Sequence, residues 1–422
     1  MRFYSSNSLK GLPTFNIAKA FNYLFDLRAL NNSIKEKIKR EITDTRECIK
    51  SLVFSTHCMH HKISDNGKIL FLLTPSNISQ RKDIKNFFFQ VAETAKSNYD
   101  IVYWDTKKVI NFYRTLQLSY LCLSWAIILR KEKYKLSQIL AILPKLIEIK
   151  DKTDALQQTT KIDKYKLCVL FYDANCIDNY FSQLFQNLNI ETATLQHGVM
   201  IAKRKEVKNN PDFCGIEFRN FISTHFLVWN NFTKREAIKS GIPEYKIKVL
   251  GVAKCINNTP IFNANNKTIG LVLDGEFEKE NNDNLIKIAS TFAEKYNYKI
   301  ILRFHPRMDS SIYNHCIDKN IFSICPKNTS LRDFIAQTEF CIVANSTVFI
   351  EMICWHTKVY RYSSRNNKDK FRDLKYPSFH TLTELESLYK TGIENIPIEI
   401  DEIMGNINPQ EKYNAFFKNY IG

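Results

Sequence analysis

The feature that most constrains this chain is a repeated alternation: short apolar runs rich in β-branched and aromatic residues, separated by longer stretches of helical periodicity. SLVFST (51–56), ILFLLT (69–74), DIVYWD (100–105), KLCVLFYD (166–173) and ETATLQHG (191–198) each end in polar or small residues. Parallel strands read this way when helices cover both faces of a sheet. Helical patterns such as NYFSQLFQNLN (179–189) lie between them, and FLVWN (226–230), TKREAIKSGIP (233–243) and KIKVLGV (246–252) continue the series. KCINNTPIFNANNKT (254–268) is polar and Asn-rich, contains Pro260, and reads as a linker.

The pattern restarts at TIGLVLDG (268–275) and runs on through KIILRFHP (299–306), IFSICP (321–326) and EFCIVANST (339–347), with helices predicted over 284–297, 330–338 and 348–355. Strand, loop and helix recur at the spacing of a nucleotide-binding half. The expected fold class is therefore α/β, with two Rossmann-like domains facing each other across a cleft. The predicted divisions are residues 1–255, residues 268–375, and a tail over 376–422 that crosses back to the first domain. Ligands in open α/β sheets bind beyond the carboxyl ends of the strands, so the loops there are the places to look.

A chain of 422 residues with 44 % hydrophobic content can bury cores of this kind. Its 60 Lys and Arg against 43 Asp and Glu leave a net charge of +17, which favours anionic partners: a nucleotide-linked substrate, an anionic bilayer or nucleic acid. The basic residues are spread over many segments rather than concentrated with aromatics in a recognisable module, which argues against nucleic acid. The 11 cysteines include no CxxC pair and predict reduced thiols in a cytoplasmic protein, with no disulfide or metal framework. The N-terminal MRFYSSNSLKGLPTF lacks the apolar core of a secretory signal. The run Leu116 to Leu129 is too short to span a bilayer and reads as a core helix. Because Arg130, Lys131, Lys133 and Lys135 follow it, a helix lying on the anionic cytoplasmic face of a membrane is the sharper alternative.

Three strand ends carry candidate chemistry. In RFHPR (303–307), Pro306 ends the strand and leaves Arg303, His305 and Arg307 in or near the loop, a set of donors suited to a phosphate. Ordinary surface arginines beside a hydrogen-bonded histidine would look the same. In VANSTVFIE (343–351), a strand runs through Asn345, Ser346 and Thr347 into a helix. Ser346 or Thr347 would cap that helix beside unpaired backbone N–H groups, and Glu351 one turn on could accept ribose hydroxyls. An ordinary cap needs no ligand. In TLQHGVM (194–200), Gly198 allows close backbone approach or a positive φ, and His197 would project toward the cleft with a pKa near neutrality. A core histidine satisfied by Gln196 competes with that reading.

Taken together, His305-Pro306 and Ser346-Thr347 resemble the HP and S/T motifs of GT-B glycosyltransferases of bacterial surface-polysaccharide synthesis, in particular the bacterial sialyltransferases that hold the phosphate of CMP-sialic acid with them. Gln196-His197-Gly198 is similar to the HG motif of CDP-glycerol phosphotransferases of teichoic-acid synthesis. The likeness spans residues 165 to 365. It implies a GT-B fold and inverting, metal-independent transfer of a sugar from a CMP- or UDP-linked donor to a hydroxyl of a capsule, O-antigen or lipooligosaccharide acceptor, without a further cofactor. The polyol phosphotransferase is the alternative and a nucleic-acid-binding protein a remote one. The acidic D/E-D/E-G motif of those sialyltransferases has no copy in the first domain. Leu273-Asp274-Gly275 sits at the first strand of the second instead, where Gly275 would form a turn near the donor with Glu276 and Glu278 solvated. His197 is thus the expected base, with Asp173 in reserve; Gln196 and Gly198 fall on the acceptor side, and Arg303, His305, Pro306, Arg307, Asn345, Ser346, Thr347, Glu351 and Gly275 on the donor side.

Overall fold

A computed structural model describes residues 9–30, 34–53, 55–64, 66–74, 82–108, 111–205, 207, 213–256, 261, 264, 266–275, 278–305, 308, 310–313, 321–364, 369–396, 399–406 and 408–421. Its first sheet has the strand order β1-β3-β2-β4-β5-β6-β7. These are β1 (Ser55–Lys62), β2 (Ile69–Leu73), β3 (Tyr99–Lys108), β4 (Leu167–Leu170), β5 (Glu191–Leu195), β6 (His225–Val228) and β7 (Ile247–Val249). The pairing is parallel except at the edge, where β1 runs antiparallel to β3. Every residue of β2 and β4 is buried, as their uninterrupted apolar sequences require.

The second sheet is parallel throughout its described pairs, in the order β10-β9-β8-β11-β12-β13. Its strands are β8 (Thr268–Val272), β9 (Lys299–Arg303), β10 (Phe322–Ile324), β11 (Phe340–Val343), β12 (Val359–Tyr362) and β13 (Ser378–Phe379). The molecule is thus two doubly wound α/β units, the GT-B architecture.

In the first unit lie α1 (Ile17–Leu30), α2 (Ile34–Val53), α3 (Lys82–Glu93), α4 (Phe112–Lys131), α5 (Leu136–Thr159), α6 (Cys176–Asn187), α7 (Ile216–Arg219) and α8 (Asn231–Lys239). Asparagines start four of them, each side-chain oxygen accepting a first-turn N–H: Asn16 from Lys19 N ahead of α1, Asn111 from Arg114 N ahead of α4, Asn175 from Ile177 N ahead of α6, and Asn230 from Thr233 N at 2.9 Å ahead of α8. The second unit carries α9 (Lys279–Tyr296), α10 (Leu331–Ala336), α11 (Val348–Cys354) and α12 (Leu382–Thr391). Two more helices follow, α13 (Ile400–Ile403) and α14 (Pro409–Lys418).

Three features differ from the sequence reading. The SLV of SLVFST forms the last turn of α2, and the strand begins only at Ser55. β12 and β13 have no counterpart in the sequence reading, and β13 carries the second sheet past residue 375. Most of the linker stretch lies outside the described residues, but Ile261 is buried and its N–H donates to the Trp355 carbonyl at 3.0 Å. Beyond the second sheet the chain returns to the first unit. Phe417 of α14 meets Phe71 of β2 edge to face at 5.3 Å, and Tyr413 and Phe416 share its core with residues of β2, β4, β5 and β6.

Candidate functional site

Parallel register determines which loops meet. Val343, Val272 and Arg303 are paired neighbours across β11, β8 and β9. Two residues further on, Asn345, Asp274 and His305 therefore follow the same row past the strand ends, and Ser346 and Gly275 the next. Two strand spacings separate β9 from β11, roughly 10 Å. The Asp274 carboxylate ties this edge together by accepting from Asn345 N at 3.0 Å, while Asn282 brackets Asp274 from α9, accepting from its N–H and donating to its carbonyl. Asn345 Oδ1 in turn accepts from Lys370 N at 2.9 Å. A Cβ added at Gly275 would meet nothing within 4 Å, so this turn opens outward.

The first unit faces this edge with the end of β5. Gln196 is fully buried and works as a clamp: its Oε1 accepts from Trp229 N at 2.7 Å, and its Nε2 donates to the Gly198 carbonyl at 2.8 Å and to Thr233 Oγ1 at 3.0 Å. It holds the following residues in place rather than presenting itself to an acceptor. His197 is half-buried against two rings, Tyr172 at 4.5 Å edge-on and Phe171 at 5.1 Å. Gly198 does not adopt a positive φ. What it provides is proximity, since a Cβ there would lie 3.8 Å from Thr347 Oγ1. Val199 N donates to that same hydroxyl at 3.4 Å, so the two loops touch across the units. Thr347 occupies the N-cap position of α11 without capping it through its side chain, whereas Ser346 Oγ accepts from Val348 N at 3.4 Å. Because α11 spans only seven residues, the hydroxyls matter more here than the helix end.

Several expected ligand groups already have protein partners. Glu351 is buried and its Oε1 receives Lys254 Nζ at 2.7 Å, a pair that joins the end of the first unit to α11. Arg303 points away from the Ser346 row: Nη1 donates to the Thr329 carbonyl at 3.0 Å, and the guanidinium lies 5.4 Å from the Phe334 ring centre. His305 is exposed at the end of β9, where its carbonyl accepts from Met308 N at 2.8 Å. Pro306, Arg307 and Glu276 lie outside the described residues. Glu278 is not solvated as expected but buried, accepting from Asn281 Nδ2 at 2.6 Å. Asp173, the reserve base, is buried with Oδ2 accepting from Ser223 N at 2.7 Å and Ile222 N at 3.0 Å. Burial pushes its carboxyl above the ordinary range, but it anchors a loop of the first unit.

Sequence reasoning missed Lys254, which fell in the supposed linker, and Arg204, a buried guanidinium that reaches across to the carbonyls of Asp369 and Lys370. A lone arginine in a polar loop gives no signal of this role. Phe171 and Tyr172, which read in the sequence only as part of a strand, form an aromatic wall beside the His197 strand end, a place that follows from the β4–β5 pairing.

No family model matches the sequence, and no curated protein does. Solved structures match the fold. The UDP-GlcNAc 2-epimerase of Neisseria meningitidis bound to UDP-GlcNAc superposes with a TM-score of 0.50 at 13% identity, covering 83% of this chain and 98% of that one. The UDP-GlcNAc 2-epimerase of Methanocaldococcus jannaschii gives 0.49 at 13% identity, with 83% and 99% covered. The pneumococcal O-GlcNAc transferase GtfA gives 0.41 at 12% identity, with 60% and 56% covered.

Proposed function

We propose that this protein is a glycosyltransferase that moves a sugar from a nucleotide donor to a hydroxyl of a bacterial surface glycan, with inversion and without a metal ion. The observation that carries this reading is the approach of the His197–Val199 loop to the Ser346–Thr347 loop, marked by the Val199 N to Thr347 Oγ1 bond at 3.4 Å. A general base from one unit and a phosphate-binding edge from the other then share one space, as transfer between two substrates requires.

In this reading the His197 imidazole takes the proton of the acceptor hydroxyl. The freed oxygen attacks the anomeric carbon, the bond from that carbon to the nucleotide phosphate breaks on the opposite face, and the nucleotide leaves with the bonding pair. Ser346, Thr347 and His305, with Arg307 beyond it, stabilise the departing phosphate by hydrogen bonds and charge. Glu351 holds the ribose by exchanging part of its contact with Lys254. Arg303 has no part in this, being committed to the Thr329 carbonyl. A CMP-linked sialic acid and a UDP-linked hexose both fit this chemistry.

Thermal shift with CMP, CDP, UDP and GDP tests the site first, because a ligand that binds only the folded chain raises its melting temperature. One nucleotide should stabilise the protein, and Ser346→Ala or His305→Ala should weaken that shift. Failure of all four nucleotides to shift the melt would overturn the reading. Product analysis then decides the reaction. Transfer of sugar without phosphorus, unchanged by a chelator, is expected; phosphorus in the product would assign a polyol phosphotransferase, and conversion of the nucleotide sugar without any acceptor would assign an epimerase.

A further inference from the structure

Helix α4 is apolar nearly all the way round, and the fold uses only part of that surface. Leu118, Leu121, Cys122, Trp125 and Leu129 are buried against the first unit. Six large side chains on the other face stand in solvent: Phe112 (76% exposed), Tyr113, Leu116, Tyr120, Leu123 (67%) and Ile127 (57%). At 3.6 residues per turn these six fall within an arc of about 100°, a continuous stripe along a helix about 30 Å long. Leu136 at the start of α5 is also 67% exposed. Scattered exposed apolar residues are ordinary on a protein surface, but an aligned stripe of this extent marks a contact surface.

The charges around the stripe identify the partner. No Asp or Glu occurs between Phe112 and Lys131. Arg130 and Lys131 end the helix on the stripe's two margins and Lys133 and Lys135 follow it, all four exposed, with the half-buried Glu132 the one acidic residue among them. Lys10 sits at its edge with Nζ 2.8 Å from Tyr120 OH. An isologous dimer would set this cationic collar against an identical copy, on chains that each carry +17. An anionic bilayer instead offers an apolar layer for the stripe and phosphates for the collar. Among the described residues no helix is long and apolar enough to cross a membrane, so the contact is interfacial. We propose that α4 is a bilayer-docking helix that lies in the headgroup region of an anionic membrane, whatever reaction the cleft performs.

Sedimentation of the full-length protein with phosphatidylcholine vesicles, and with vesicles of phosphatidylcholine and phosphatidylglycerol, tests the proposal. Partitioning should be at least about tenfold stronger onto the anionic vesicles and should fall as salt rises. Leu123→Glu with Ile127→Glu should lower it by about tenfold or more with no change in melting temperature, since both side chains already stand in solvent. Lys131→Glu with Lys133→Glu leaves the stripe intact and should abolish the preference for phosphatidylglycerol. Equal partitioning of the wild type and the Leu123/Ile127 variant, or no vesicle binding at all, would overturn the proposal. So would a dimer in light scattering that this variant converts to monomer, because the stripe would then be covered by a second copy.

Discussion

At the scale of single residues, Gln196 and His197 are neighbours with separable roles. Replacing His197 by Ala removes a half-buried ring and the proposed proton acceptor; turnover should fall by about 10²- to 10⁴-fold, the usual contribution of a positioned base. Nucleotide-induced stabilisation and the melting temperature of the free protein should stay close to wild type. Gln196→Leu should do the reverse in emphasis. It strips the N–H of Trp229 of its buried acceptor, at a cost of about 1–3 kcal/mol, and loosens the Gly198 carbonyl as well. Melting curves and steady-state rates on both variants check the distinction. A Gln196→Leu protein as stable as wild type would mean that the clamp contributes little.

A second residue-scale prediction concerns Asp178, which is fully buried in α6. Burial raises its carboxyl from the ordinary 3.8 to about 7, against hydrogen bonds from Thr74 Oγ1 and Tyr172 N that favour the charged form. Lys152, also fully buried, donates to Glu148 Oε1 at 2.7 Å and to the Thr74 carbonyl. Between the two pKa values the folded chain holds a proton that the unfolded chain has released. The contribution of Asp178 to stability is therefore full below about pH 4, declines as pH rises to about 7, and is level above that. Asp178→Asn should flatten this part of the profile in melting experiments across that range. An unchanged slope would show that Asp178 is ionised throughout.

At the scale of elements, the turn between α13 and α14 depends on Gly405. Its φ is +71°, and a Cβ there would fall 1.8 Å from the Trp229 carbonyl oxygen, a backbone atom that cannot swing aside. Asn230 Nδ2 binds the Ile403 carbonyl at 2.6 Å in the same corner. Gly405→Ala should therefore cost at least about 2 kcal/mol, through strain at a positive φ added to displaced backbone. Chemical denaturation would show it, and a loss below about 0.5 kcal/mol would mean that the corner yields freely. Strands buried on both faces were legible in the sequence because nothing polar interrupts them, as in ILFLL of β2. β12 was hidden because VYRY contains Arg361, and only the fold supplies Asp369 at 2.9 Å to neutralise it. The site was legible to the same depth. Parallel register puts His305, Asp274 and Asn345 in one row and Gly275 and Ser346 in the next, but the partners that claim Glu351 and Arg303 come from Lys254 and Thr329, which no local pattern couples to them.

At the scale of the whole molecule, the two units are not independent bodies on a hinge. One apolar core holds Ile201, Phe213, Trp229 and Phe232 from the first part of the chain together with Leu271, Ile342 and Phe349 of the second. The chain also crosses back at its end, where α14 lays Tyr413, Phe416 and Phe417 on the first sheet beside Phe71. Gly251, at φ +96°, leaves no room for a Cβ beside Pro409, which starts that helix. The first unit is thus completed by residues that follow the whole of the second. Units that share a core and exchange segments unfold together, so calorimetry should give a single cooperative transition, shifted upward as one by a bound nucleotide. A chain ending before Pro409 should lose that cooperativity and expose the apolar surface of β2, visible as dye binding and a broad melt. Two well-separated transitions in the intact protein, or a truncated chain that melts as sharply as the full one, would show that α14 only rests on a first unit able to fold without it.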